Sequence, residues 1–161
     1  MINTERGLLV VNSDQIVDID FDEFIIDCRN RKLDGSIIVF KEFSKSNKWS
    51  YAELDNNNLV KRVAEKEPIS EYATTGIYFF QRGSDFCSAA VEMIVNNDKI
   101  NGEFYTCPIY NYIIRKGGRV GLYEISASAM HGLGTPSDLQ NFLNHNNYES
   151  SIDSPEQLEY R

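Results

Sequence analysis

The stretch Leu8-Leu9-Val10-Val11-Asn12-Ser13-Asp14 decides the fold. Four apolar residues, a small polar pair and a carboxylate predict a buried strand that delivers Asp14 to its carboxyl end. Open α/β sheets gather their ligands just beyond such strand ends. A carboxylate placed at a dry sheet edge needs compensation, which a metal ion supplies. Because the run begins at residue 8, a strand of the mid-sheet kind has almost no chain before it.

Alternating helical and strand patterns follow. Acids open an apolar-periodic turn over Asp20–Ile26, predicting a short helix whose N-terminal dipole favours negative charge. After the Asp34-Gly35 turn, Ser36–Lys41 reads as a strand. Trp49–Leu54 and Leu59–Glu65 flank Asp55-Asn56-Asn57-Asn58 and predict a hairpin. Thr74–Gln81 is β-branched and aromatic, a strand. Ser84–Asn96 has helical spacing with Ser84 as its cap. Cys107–Arg115 predicts a helix closed by Gly117-Gly118. Arg119–Ile125 is the last strand, and Pro136–Leu143 a short helix capped by Thr135. The composition then turns to Asn, Ser, Glu and Pro, so residues 1–145 are expected to form one domain and 146–161 a weakly ordered tail.

A chain of 161 residues with 42% hydrophobic content supports one core. Its 16 basic and 24 acidic residues give a charge of −8, which argues against nucleic acid or an anionic membrane as partner. A small phosphate ligand needs only a few well-placed groups. Cys28, Cys87 and Cys107 are widely spaced without a CxxC, so neither a disulfide framework nor a zinc site is expected. Met1–Gly7 is polar, and the apolar run after it is too short for a signal peptide or a membrane span. A soluble cytoplasmic protein is the expectation.

Taken in order, Asn12-Ser13-Asp14, Ala64-Glu65-Lys66, Thr75-Gly76-Ile77-Tyr78, Asn101-Gly102-Glu103-Phe104 and Gly134-Thr135-Pro136-Ser137-Asp138-Leu139 resemble the sugar-1-phosphate nucleotidylyltransferases, the nucleoside-diphosphate-sugar pyrophosphorylases. The resemblance spans residues 8–143. It implies an α/β fold, a Rossmann-like, GT-A-type mixed sheet flanked by helices. The implied reaction joins a nucleoside triphosphate to a sugar 1-phosphate, with release of pyrophosphate and with Mg²⁺ as cofactor. Such activity supplies activated sugars for surface polysaccharide.

The resemblance also assigns roles. Asp14 matches the family's metal-binding aspartate, beside Ser13; its plainer reading is a loop cap. Lys66 matches the lysine that holds the sugar phosphate, next to the substrate-binding Glu65, although Glu65-Lys66-Glu67-Pro68 has one residue more than the family's Glu-Lys-Pro. A hairpin-end ion pair with Glu65 is the alternative. Glu103 matches a glutamate that accepts hydrogen bonds from sugar hydroxyls, or else it caps the following helix. Gly76 would let backbone approach the sugar, or mark a bulge. Cys107 lies near Glu103 without a visible base and reads as a buried structural thiol.

Two departures from the family stand out. No Gly-rich nucleotide-binding run precedes Asp14, so the chain reads as N-terminally truncated, the C-terminal part of a nucleotidyltransferase domain. The position of the family's second metal-binding aspartate is Gly132, and His131 beside it reads as a loop residue because Mg²⁺ takes oxygen donors. An uncovered edge at Val10–Asn12 would seek a partner strand, from a second copy or another chain. Two other functions remain open: a non-catalytic sugar-nucleotide-binding subunit, and a GT-A glycosyltransferase using Asp18-Ile19-Asp20, whose acids otherwise serve as caps.

Overall fold

The computed structural model describes residues 5–145. The tail expected over residues 146–161 lies outside the described residues. The order of elements is β1 (Leu8–Val11), β2 (Gln15–Val17), α1 (Phe21–Asn30), β3 (Gly35–Lys41), β4 (Ser50–Leu54), β5 (Val60–Glu65), β6 (Tyr72–Phe80), α2 (Gly83–Val95), α3 (Ile109–Arg115), β7 (Val120–Glu124), β8 (Met130–Gly132) and α4 (Pro136–His145). A six-stranded mixed sheet runs β5-β4-β6-β3-β7, with β1 added alongside β6, and helices cover both faces.

β3 and β6 are the centre of this sheet because both of their faces are apolar. Ile37, Val39, Tyr78 and Phe80 point to one side, where Ala89 and Met93 of α2 and Tyr110 and Ile113 of α3 bury them. Ile38, Ile77 and Phe79 point to the other, against Phe24 and Cys28 of α1. A strand buried on both faces loses the alternation of apolar and polar residues, which is why both read as continuous apolar runs. The Tyr110 hydroxyl reaches the Ser36 and Phe79 carbonyls at 3.1 and 2.9 Å, tying α3 to both strands. Its ring stacks on Phe80 with centroids 4.6 Å apart.

β6 is longer than its neighbours and shares one edge between two of them. β3 follows it from Tyr72 to Phe80. On the opposite edge β4 meets it at Ala73, while β1 pairs antiparallel with Ile77–Phe80. The sheet register shifts between Ile37 and Val39, where β6 carries the extra residues. Gly76 sits at this bulge with φ +77°, a conformation that side chains disfavour.

Several expectations take their final form here. β1 does carry Asp14 to its end, but it is not the buried mid-sheet strand expected. Leu8, Leu9 and Val10 are half-buried and Val11 is 47% exposed, because β6 is the only partner of β1 among the described residues. α1 runs to Asn30, capped by the Asp20 carboxylate, which accepts from the Asp22 and Glu23 N–H groups. Ser84 does not cap α2: the helix already begins at Gly83, after an Arg82 cap that makes no side-chain hydrogen bond. The hairpin is present, with Asp55 accepting from the Asn57 and Leu59 N–H groups. The Thr135 hydroxyl accepts from Asp138 N–H at the head of α4, as expected. The two-stranded ribbon of β2 and β8 was not foreseen.

β5 is an edge strand, yet its outer side is partly closed by a side chain. The Asn111 amide on α3 accepts from Val63 N–H and donates to Val63 C=O, both at 2.9 Å, imitating a neighbouring strand. Among the described residues no helix is long and apolar enough to cross a membrane. Two predictions follow from this packing. Asn111→Ala, which strands both Val63 groups, should lower stability by about 1–3 kcal/mol in urea unfolding. Burial pushes the Cys28 thiol up to about 11 and the Cys107 thiol up to about 12. Alkylation of the native protein at pH 8, followed by mass spectrometry, should therefore label the half-buried Cys87 alone.

Candidate functional site

A cleft of about 320 Å³ opens where β1 and β4 part from each other along the edge of β6. Asn12, Asp14 and Gln15 line it from the end of β1, Lys48, Trp49 and Ser50 from the start of β4. Thr74, Gly76 and Tyr78 of β6 and the segment Phe104–Cys107 also line it. The cleft thus sits at a gap in the hydrogen-bonded ladder rather than at the end of one strand. A smaller cleft of about 250 Å³ adjoins it, sharing Asp14, Gln15, Lys48 and Trp49 and adding Thr135 and Asp138. A larger depression of about 570 Å³ between β5 and α3 shares only Glu65 with the first cleft.

The structure brings together three of the residues singled out from sequence: Asp14, Glu65 and Gly76 all line the cleft. Asp14 lies in the bend between β1 and β2 and is exposed, not set in a dry sheet edge as expected. Its backbone carbonyl accepts from Leu133 N–H at 2.7 Å, which fixes the bend against the ribbon. Among the described residues its carboxylate has no hydrogen-bond or ion-pair partner. Ser13 is exposed in the same bend and does not line the cleft. Glu65 accepts a hydrogen bond from the Ser50 hydroxyl.

Gly76 takes the second of its readings, the bulge. A β-carbon there would lie within 3 Å of the side-chain amides of Asn12 and Gln15. The Asn12 N–H donates to the Gly76 carbonyl at 3.0 Å, continuing the β1–β6 pairing to the edge of the cleft.

Lys66 and Glu103 stand on the rim rather than in the cleft, joined by a residue that sequence reasoning missed. Lys66 Nζ donates to the Tyr105 hydroxyl at 2.8 Å, and that hydroxyl donates to Glu103 Oε2 at 2.6 Å. The hydrogen bond to Tyr105 raises the Lys66 pKa, helped by the fields of Glu65 and Glu103. Lys66 therefore stays charged throughout the neutral range, and its partner is Tyr105 rather than Glu65. Its own φ of +57° is a rare left-handed value for a side-chain-bearing residue, a kind of strain that gathers at functional sites. Glu103 caps no helix. It follows the left-handed pair Asn101-Gly102 in a tight turn, closed by reciprocal hydrogen bonds between Ile100 and Glu103. Asn-Gly is the dipeptide such a turn demands, and the i, i+2 spacing to Tyr105 was the available signal.

The remaining acids near Asp14 are already engaged. Asp20 caps α1, and Asp18 meets His131 Nε2 at 2.9 Å across the ribbon. The His131 ring also packs edge-on against Phe142. Gly132 supplies no carboxylate, whereas Asp138 reaches the smaller cleft. Cys107 and Tyr78 lie at the buried floor, where burial raises both pKa values and keeps both groups neutral.

The comparisons agree with this fold. The family model for nucleotidyl transferases matches residues 1–105. A nucleoside-diphosphate-sugar pyrophosphorylase of Vibrio cholerae RC9 superposes with a TM-score of 0.71 at 28% identity, covering 86% of this chain and 56% of its own. A Bacillus anthracis protein named for glucose-1-phosphate thymidylyltransferase, solved in complex with a sucrose, gives 0.68 at 23% identity, over 94% and 58%. The chain thus spans less than three-fifths of the length of either. No curated protein matches it. The chain belongs to the nucleotidyl transferase family.

Proposed function

We propose that this chain carries the sugar-phosphate half of a sugar-1-phosphate nucleotidyltransferase, which forms a nucleoside-diphosphate sugar and releases pyrophosphate. The observation that carries the reading is the Lys66–Tyr105–Glu103 chain on the rim of a cleft that also holds Asp14, Glu65 and Gly76. A fixed cation and an exposed carboxylate, set side by side, suit the phosphate and the hydroxyls of one small ligand. Lys66 neutralises the phosphate, while Glu65 and Glu103 accept from sugar hydroxyls.

In the reaction, a sugar phosphate oxygen attacks the α-phosphorus of the nucleoside triphosphate. The new oxygen–phosphorus bond forms as the bond to the β-phosphate oxygen breaks, and pyrophosphate departs with that electron pair. The protein's part is positioning and charge neutralisation. A nucleotide-binding segment outside residues 5–145 completes the site in this reading.

The donor set fits Mg²⁺. Asp14 offers an unpartnered carboxylate at the junction of the two clefts, and Asp138 lines the smaller one. Among the described residues no group of three or more His, Cys, Asp or Glu side chains is placed to hold a metal ion. An ion that binds through one or two carboxylates and fills its shell with phosphate oxygens and water suits such a place. Bound there, Mg²⁺ would offset phosphate charge.

We further propose that a second copy or a partner chain covers the outer edge of β1, and that the protein works in the cytoplasm. An apolar, half-exposed strand with one edge unpaired among the described residues is a template for strand addition.

Calorimetric titration with sugar 1-phosphates and nucleotide sugars, with and without Mg²⁺, tests the site. Binding should depend on Mg²⁺ in the wild type and in Asp18→Asn, and lose that dependence in Asp14→Asn. Lys66→Ala should weaken binding of a sugar 1-phosphate by about 10- to 100-fold, as loss of a charge-assisted contact requires. No binding to any of these compounds would end the proposal. Light scattering that gives a monomer at working concentration, with ordinary stability, would end the strand-addition proposal.

A further inference from the structure

We infer that the Lys48 ammonium binds the second phosphate of a nucleotide sugar, the one esterified to the nucleoside; this rests on the function proposed above. The two adjoining clefts share Asp14, Gln15, Lys48 and Trp49. Lys48 is the only cation among these residues, and the only one lining the smaller cleft. A ligand that fills the larger cleft and continues into the smaller one therefore passes this ammonium.

Lys48 is held at the junction with its charge uncompensated. Lys41, Lys61, Arg62, Arg82 and Lys116 each pair with a carboxylate. Lys48 makes no ion pair among the described residues; its Nζ lies over the Trp49 ring, 4.9 Å from the centroid. A π face steadies an ammonium without neutralising it. Trp49 packs edge-on against Phe40 with centroids 5.3 Å apart, so this platform is anchored in the core. The chain leading to it is braced as well. The Lys48 N–H donates to Ser46 Oγ at 3.1 Å, the Ser46 N–H donates to the Glu42 carboxylate, and the Tyr51 hydroxyl donates to the Ser46 carbonyl at 2.6 Å. A cation placed in advance loses less freedom on binding.

The neighbours of Lys48 suit a diphosphate. The Lys66 N–H donates to the Trp49 carbonyl at 3.0 Å, so the two lysines stand on adjacent chains. Two linked phosphates need two cations side by side: Lys66 serves the phosphate of the sugar, and Lys48 serves the next. Asp14 lines the same junction and does not pair with Lys48. A phosphate can turn one oxygen to Lys48 and another to a divalent ion on Asp14. In the proposed reaction this phosphate is the one attacked. Negative charge redistributes over its oxygens as one bond forms and the other breaks, and a fixed ammonium there offsets it.

The test uses the full chain with Mg²⁺, titrated by calorimetry with glucose, galactose and mannose 1-phosphates and with the uridine and thymidine diphosphate derivatives of the same hexoses. Lys48→Gln removes the charge and Lys48→Arg keeps it; the side chain is exposed, so both variants should fold. Lys48→Gln should bind the preferred nucleotide sugar about 10- to 30-fold more weakly than wild type, and its hexose 1-phosphate within about twofold. Lys48→Arg should recover most of the lost affinity.

Equal affinity of Lys48→Gln and wild type for the nucleotide sugar would overturn the inference while leaving the proposed function standing. So would a parallel loss of hexose 1-phosphate binding, which would make Lys48 a contact of the sugar's own phosphate. No recovery in Lys48→Arg, or a wild type that binds a hexose 1-phosphate but no nucleotide sugar, would overturn it too. Failure of the wild type to bind any of these compounds would remove the proposed function and this inference together.

Discussion

One long strand with two neighbours on a single edge organises the molecule. β6 is buried on both faces and paired along its whole length with β3, so its position is fixed by the core. Its other edge is divided between β4 and β1, and the interval between them is the cleft. Backbone groups exposed at that interval cannot be left without partners, and polar side chains from the flanking turns gather there. The bulge at Gly76 falls in the same interval, which lets the strand bend without a side chain blocking the opening. Core packing and site geometry are therefore two consequences of one pairing scheme.

The electrostatic arrangement follows from burial. Groups at the floor of the cleft, Tyr78 and Cys107, are held in their neutral forms by desolvation. At the rim, Lys66 is held charged by its hydrogen bond to Tyr105. The result is a neutral, hydrogen-bonding interior beneath charged margins. Such a gradient orients an amphoteric ligand before any specific contact is made.

Much of the architecture was legible in the chain. The apolar runs of β3 and β6, the Asp55 turn, the Asp20 cap and the Thr135 cap were written in local residue chemistry. The failures have physical causes. Leu8–Val11 looks buried because its four residues are apolar, but periodicity cannot tell how many partner strands stand beside them. The three-residue strands β2 and β8 are too short to show any period, and they exist because the ribbon joins segments more than a hundred residues apart. Of the site, Asp14, Glu65 and Gly76 were found in the cleft, and Lys66 and Glu103 at its rim. Tyr105 was missed, since its significance rests on Lys66, a neighbour distant in sequence.

The phenol between Lys66 and Glu103 has a thermodynamic consequence. Its single proton is given to the carboxylate while its oxygen accepts from the ammonium, so the state of either end is felt at the other. An occupant that draws Glu103 away leaves Tyr105 free to reorient, and with it the group that steadies Lys66. In the proposed function, recognition of the two ends of a ligand would then be reciprocal, with a shared coupling free energy rather than two separate affinities. Substitutions at Lys66 and Glu103 belong to one cooperative unit, whose effects do not sum.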